Sequence, residues 1–321
     1  MTSPQPAASG SAMSAASNDA TPLDVVTVGD SFAQGECVPS EKVIAADLRS
    51  RFPKTVSLGQ NGNGPLIELA TLAEYGTTLR PRHVVWLFYE GNDLDNILDE
   101  FPNPTFRRYL EDRTFSQSLM QKQAVIDRQL DALWKSRLEK TLAQRSGWIN
   151  GASLEWAESN WQGIAKLRTL RQRLGIEPPD FVTARSYRQT YVTLGRVLAA
   201  AKEIVAGWNG DILFVYLPEY QTLARPSHKG IHHDRVLEVV AKAGIPMVDI
   251  TPVMASDADP LNYFPFHLSG GHYTEAGYQL VADQVLDYLK ASHPQYATLL
   301  DTRVSRPALG RHVSGSRLRE D

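Results

Sequence analysis

The sequence is poor in the features that would settle its class by themselves. Among 321 residues there is a single cysteine, Cys37, so neither an internal disulfide nor a multi-cysteine metal site can form. No apolar run approaches the ~20 residues that a helix needs to cross a bilayer. Charge of one sign is missing too: 33 Lys and Arg against 36 Asp and Glu leave a net charge of -3. That balance gives no whole-chain argument for nucleic acid or membrane binding. There is no G-x-x-x-x-G-K-[ST], and the glycines of "GQNGNGP" lack the G-x-G-x-x-G spacing directly after the first strand, so phosphate cradling is not expected. The first 22 residues have neither a basic n-region nor an apolar h-region, and read as a disordered leader rather than a secretory signal. Residues 301–321 read as a flexible basic tail. A cytoplasmic location is the expectation from these ends, with a periplasmic or secreted one as the alternative.

What is present is an ordinary apolar fraction of 42%, enough for a sizeable core, and a regular alternation of patterns. "LDVVTV" (23–28), "KTVSL", "RHVVWLFYEGND", "GDILFVYLPE" and "IPMVDIT" read as five buried strands. Between and after them "SEKVIAADLRSRF" with Ser40 as N-cap, "GPLIELATLAEYG" with a glycine stop, "RVLEVVAKAG" and "TEAGYQLVADQVLDYLKA" behind a Thr274 cap have helical spacing. Strand–helix alternation predicts an α/β domain over 23–300, with a parallel sheet of about five strands covered on both faces. Residues from about 100 to 185 break the rhythm and read as a helical insertion that emerges from the loop after "EGND".

Three short segments carry possible chemistry: "GDS" at the end of the first strand, "EGND" at the end of the third, and "SGGHYTEAGY" before the last helix. Each is ordinary loop composition by itself. Together they supply a serine, an amide and a histidine at strand or helix boundaries, where such sheets collect reactive groups. A serine hydroxyl needs a base within reach, and histidine suits that task. The resulting oxyanion needs donors, which Ser31 N–H, a glycine N–H of "GQNGNG" and the Asn92 amide could provide.

In these blocks the chain resembles the SGNH/GDSL hydrolase superfamily over residues 23–98 and 211–290. Ser31 in "GDSF", Asn92 in "GND" and His272 in "GGHYTEAGY" match three of its four blocks. For the second block the choice is Gly62, with Gly59 and Gly64 as alternatives. The resemblance implies a three-layer, flavodoxin-like fold and a serine esterase or acyltransferase mechanism, with Ser31 and His272 catalytic and Ser31, Gly62 and Asn92 forming the oxyanion hole. It also implies an aspartate three residues before the histidine, where this chain has Ser269. Ser269 itself, a backbone carbonyl, Asp257, Asp259 and Glu275 are the alternatives for orienting His272, or the site works as a dyad. The expected substrate is a small-molecule or glycan ester, with acetylated carbohydrate preferred. An O-acyltransferase and a catalytically weakened glycan- or partner-binding protein are the alternatives.

The remaining candidates have milder readings. Cys37 is expected to be a small packed residue rather than a nucleophile. His232 and His233, adjacent on a helix, cannot easily share one ion and read as a solvated helix start; His267 could line the site or lie on the surface. Trp134, Trp148, Trp156 and Trp161, in the basic insertion, are expected to hold short helices on the core, or to form a lid over a sugar and an anionic polymer. No cofactor, metal or nucleic acid is expected, and the oligomeric state is left open.

Overall fold

The computed structural model describes residues 22–146, 180–225, 230, 232–265 and 271–296. All five expected strands form. They are β1 Val25–Val28, β2 Thr55–Ser57, β3 His83–Tyr89, β4 Asp211–Leu217 and β5 Met247–Asp249. Every pairing is parallel, and the order is β2-β1-β3-β4-β5. This is the flavodoxin-like order, in which the chain reverses its direction of travel across the sheet between β1 and β3. In open sheets of this kind ligands bind at that switch point, outside the carboxyl ends of the strands. Ser31 follows β1 and Asn92 follows β3, so the fold puts both beside it.

In chain order the helices are α1 Ser31–Gln34, α2 Ile44–Arg49, α3 Pro65–Thr71, α4 Thr77–Leu79, α5 Asp93–Glu100, α6 Pro104–Glu111 and α7 Leu119–Ser146. After residue 179 come α8 Asp180–Ala206, α9 Tyr220–Ala224, α10 His233–Lys242, α11 Thr251–Ala255 and α12 Glu275–Ser292. Alternate residues of β3 divide the core in two. Val84, Trp86 and Phe88 pack with Leu66 and Leu69 of α3, Leu194, Val197 and Leu198 of α8 and Val236 and Val240 of α10. Val85 and Leu87 face the other way, onto Phe32 of α1, Ile44 and Leu48 of α2, and Val281, Val285 and Leu289 of α12. The three-layer α/β reading therefore holds. Each fully buried Leu or Phe of this kind contributes about 1.5–3 kcal/mol.

Three local expectations are corrected. Ser40 does not cap α2: the cap residue is Val43, and the Ser40 hydroxyl turns to Glu41. Gly76 does not stop the third helical segment. A π-turn over Leu72–Gly76 carries α3 on into α4, and the chain ends the helix at Arg80, in the left-handed region. His232 and His233 do begin a helix but are not solvated, because the Tyr191 hydroxyl lies 2.6 Å from His232 Nδ1 and His233 is wedged between Asp234 and Asp249.

Beyond residue 100 the core continues further than the pattern suggested, with Tyr109 and Leu110 of α6 buried. The long α7 then carries an exposed Leu130, Leu133 and Trp134. Trp134 is 72% exposed and holds nothing onto the core among the described residues. Trp148, Trp156, Trp161, His267 and Ser269 lie outside the described residues.

Candidate active site

β1 delivers Ser31 by a tight turn that depends on glycine. A Cβ on Gly29 would lie 2.8 Å from the Leu87 carbonyl oxygen and 2.9 Å from Ala33 Cβ, so only glycine lets the strand end this close to β3. Asp30 then caps α1, its Oδ1 accepting the Phe32 N–H at 2.9 Å. Ser31 occupies the first helical position, where a backbone N–H has no partner within the helix. Four residues on, Gly35 takes a left-handed conformation at φ 90, closes α1 and turns the chain back.

His272 comes from the far end of the chain. It precedes Thr274, which caps α12 by accepting the Gly277 N–H, as expected from the sequence. Phe32 packs against the imidazole with ring centroids 5.0 Å apart, and the turn before α12 is fixed from below by the buried Tyr273 hydroxyl, which donates to the Pro218 carbonyl at 2.6 Å. The result is that His272 Nε2 stands 2.8 Å from Ser31 Oγ, across 241 residues of sequence. The serine is almost entirely buried and the imidazole partly exposed. A hydroxyl donating to an unprotonated Nε2 is the arrangement a base needs to accept the proton of an attacking oxygen.

Asn92 arrives from the loop after β3. Its Nδ2 donates to Asp30 Oδ2 at 3.2 Å, so one carboxylate ties the serine turn to the amide. The amide expected at the end of the third strand thus has a fixed anchor. Of the three candidate glycines, two have their N–H groups committed. Gly59 donates to Ser57 Oγ at 3.2 Å and Gly64 to Glu100 Oε1 at 2.6 Å. Gly62, at φ 81 and with open space where a side chain would stand, is the glycine of this loop suited to receiving a ligand. The loop is tied to the serine helix through Asn61, whose N–H donates to Gln34 Oε1 and whose Nδ2 donates to Glu36.

Two residues beside His272 were missed. Glu36 Oε2 lies 3.3 Å from Nε2, and Cys37 Sγ lies 3.6 Å from Nδ1. The expectation that Cys37 is a small packed residue is overturned: it is exposed, and at φ 70 it sits in the left-handed region, just after the reversal at Gly35. Tyr278 fixes this turn by donating to the Glu36 carbonyl at 3.0 Å. The only sequence signal was the helix-stop Gly35 so soon after Ser31. The other orienting candidates are occupied elsewhere. Asp257 accepts from the Tyr263 hydroxyl at 2.7 Å, Asp259 caps Leu261, and Glu275 pairs with Lys42 at 3.5 Å.

Beneath the site lies a set of buried acids. Burial lifts Asp30 above the usual carboxylate range against its hydrogen bonds from Phe32 and Asn92. Burial, together with repulsion from Asp30 and other neighbouring acids, raises Asp93 and Glu68 much further. Glu100 is pushed up to about 7 by burial, although its two oxygens accept the Gly64 and Leu66 N–H groups at the start of α3.

No family model and no curated protein matches the chain. Among solved structures it is similar to a lipase/acylhydrolase from Enterococcus faecalis, at 13% identity over 84% of this chain and 96% of that one, with a TM-score of 0.45. It is similar to a member of the lipolytic protein G-D-S-L family from Veillonella parvula, at 12% identity over 84% and 98% of the two chains, TM-score 0.41. It is also similar to an acetyl xylan esterase, AlAXEase, at 10% identity over 83% and 100%, TM-score 0.44. At such values the chemistry of the site has to rest on its own distances and partners.

Proposed function

We propose that this chain is a serine esterase of the SGNH/GDSL type, acting on short acyl esters, with O-acetyl groups on carbohydrate as the preferred substrate class. The observation that carries the proposal is the 2.8 Å approach of His272 Nε2 to Ser31 Oγ at the switch point between β1 and β3. In the first half-reaction Ser31 Oγ attacks the ester carbonyl while its proton passes to Nε2. The carbonyl oxygen becomes an oxyanion, facing the Ser31 N–H, the Gly62 N–H and Asn92 Nδ2. Collapse expels the alcohol, which leaves with the proton from Nε2. Water then repeats the sequence on the acyl-serine and releases the acid.

Protonation of His272 leaves a cation between Glu36, near Nε2, and Cys37, near Nδ1. Glu36 stabilises that cation, but its carboxylate also competes with Ser31 for the same nitrogen. A thiol is a weak acceptor for the Nδ1 proton. This specific pairing favours a slow enzyme over a fully inert one. It is also compatible with acyl transfer, in which a sugar hydroxyl replaces water in the second half-reaction.

Hydrolysis of p-nitrophenyl acetate by the wild type, Ser31→Ala and Cys37→Ala tests the proposal. Activity in the wild type and in Cys37→Ala, with none above background in Ser31→Ala, is the expected result. Equal activity in wild type and Ser31→Ala would remove the serine from the role. A panel of acetylated glycans followed by mass spectrometry tests the substrate class.

A further inference from the structure

The opposite end of the sheet holds a second cluster with no part in this chemistry. His83 and Asp211 open β3 and β4 and are partners in register, so their side chains emerge together at the amino-terminal edge. The six residue steps along β3 carry that edge about 20 Å from the carboxyl-terminal edge. Onto it comes the end of α12, bringing His293 and then Tyr296.

His83 Nδ1 lies 2.7 Å from Asp211 Oδ1, and His293 Nε2 lies 3.3 Å from Asp211 Oδ2. One ligating atom from each of the three residues falls within 4.8 Å of the others, the one such group among the described residues. Tetrahedral zinc sites with bonds of 2.0–2.2 Å separate their ligand atoms by about 3.3 Å, so small side-chain rotations bring the set to that spacing.

We propose that His83, Asp211 and His293 form a binding site for one transition-metal dication of the zinc type. Two imidazoles and a carboxylate are a donor set suited to that ion, with water in the fourth position. The outer shell is already in place. His83 Nε2 stands 2.8 Å from the Tyr296 hydroxyl, which fixes the ring when Nδ1 turns to a metal, and Phe52 packs edge-on to both rings. There is also an entry path: the Asp211 side chain is 48% exposed and that of His293 23%, while His83 is buried behind them. A metal on Nδ1 takes the place of the contact with Asp211 Oδ1, and the neutral ring then carries its one proton on Nε2, which donates to the Tyr296 hydroxyl oxygen. The bound ion would join β3, β4 and the end of the helix whose beginning follows His272, so it acts on stability rather than on the reaction.

The test uses the full chain without a histidine tag, stripped with chelator. Calorimetric titration with zinc chloride is expected to give one equivalent bound with a micromolar or tighter Kd. Free zinc at a hundred times that Kd is expected to raise the thermal midpoint by roughly 4 °C. Asp211→Asn and His293→Ala each weaken binding at least ~100-fold, the upper end of the loss from removing an outer partner alone. A His272→Ala, Cys37→Ser double variant binds zinc as the wild type does, which separates this site from the catalytic histidine. No heat and no midpoint shift in the wild type, or binding unchanged in Asp211→Asn and His293→Ala, would overturn the proposal. If either variant fails to fold in chelator, the wild-type titration alone decides.

Discussion

Replacing Glu100 by glutamine should change how stability depends on pH, in a direction opposite to that of most carboxylates. Glu100 is buried, and its pKa rises from an ordinary 4.5 to about 7, with burial as the largest cause. Between those two values the folded state binds a proton that the unfolded chain has released. The stabilisation is therefore complete below pH 4.5 and is lost as pH rises through 7. The full shift corresponds to about 3 kcal/mol, of which about 2.5 kcal/mol falls between pH 5 and pH 8. Glu100→Gln cannot lose a proton there, and its amide still accepts one of the two N–H groups at the start of α3. Glu68 and Asp93 remain in both proteins, so most of their own pH dependence cancels in the comparison. Urea unfolding at several pH values should show the wild type losing about 2.5 kcal/mol relative to the variant from pH 5 to pH 8. Parallel pH profiles for the two proteins would refute the assignment of a raised pKa to this group.

Asn92→Ala removes the amide proposed as an oxyanion donor, and turnover should fall about 10²–10³-fold. Because the same amide anchors Asp30, unfolding free energy in urea should fall by only about 1–2 kcal/mol, and a much larger loss would mean a structural role. Cys37→Asp places a carboxylate opposite His272 Nδ1, at a positive φ that aspartate tolerates. Its kcat on p-nitrophenyl acetate should rise at least ~10-fold, within the range typical of positioned acid–base groups; an unchanged or lower kcat would show that the weak thiol contact does not limit the wild type.

The sheet was legible because parallel strands covered on both faces leave continuous apolar runs, and "HVVWLFY" is hard to place otherwise. The helix ends were less so. Nothing in "TLAEYG" announces a π-turn, and Ser40 lost the cap position because the helix begins only at Ile44, with Val43 before it. Ser31, Asn92 and His272 could be grouped by their blocks, and the fold puts Ser31 and His272 in contact while Asp30 joins Asn92 to the same turn. The hydrogen bonds that commit the Gly59 and Gly64 N–H groups are tertiary, and no spacing records them. Glu36 and Cys37 were missed because they reach His272 through the reversal at Gly35, a three-dimensional consequence of a one-turn helix. The pairing of His83 with Asp211 rests on strand register between positions 128 apart in sequence.

The central claim is that Ser31 carries the acyl group. A rapid acid quench during turnover of p-nitrophenyl acetate, followed by protease digestion and mass spectrometry, measures this directly. The account predicts one acetyl group on the peptide containing Ser31, assigned by fragmentation to the serine and absent from Ser31→Ala. Acetyl on Cys37 in place of Ser31, or steady turnover with no acylated peptide in the wild type, would contradict it.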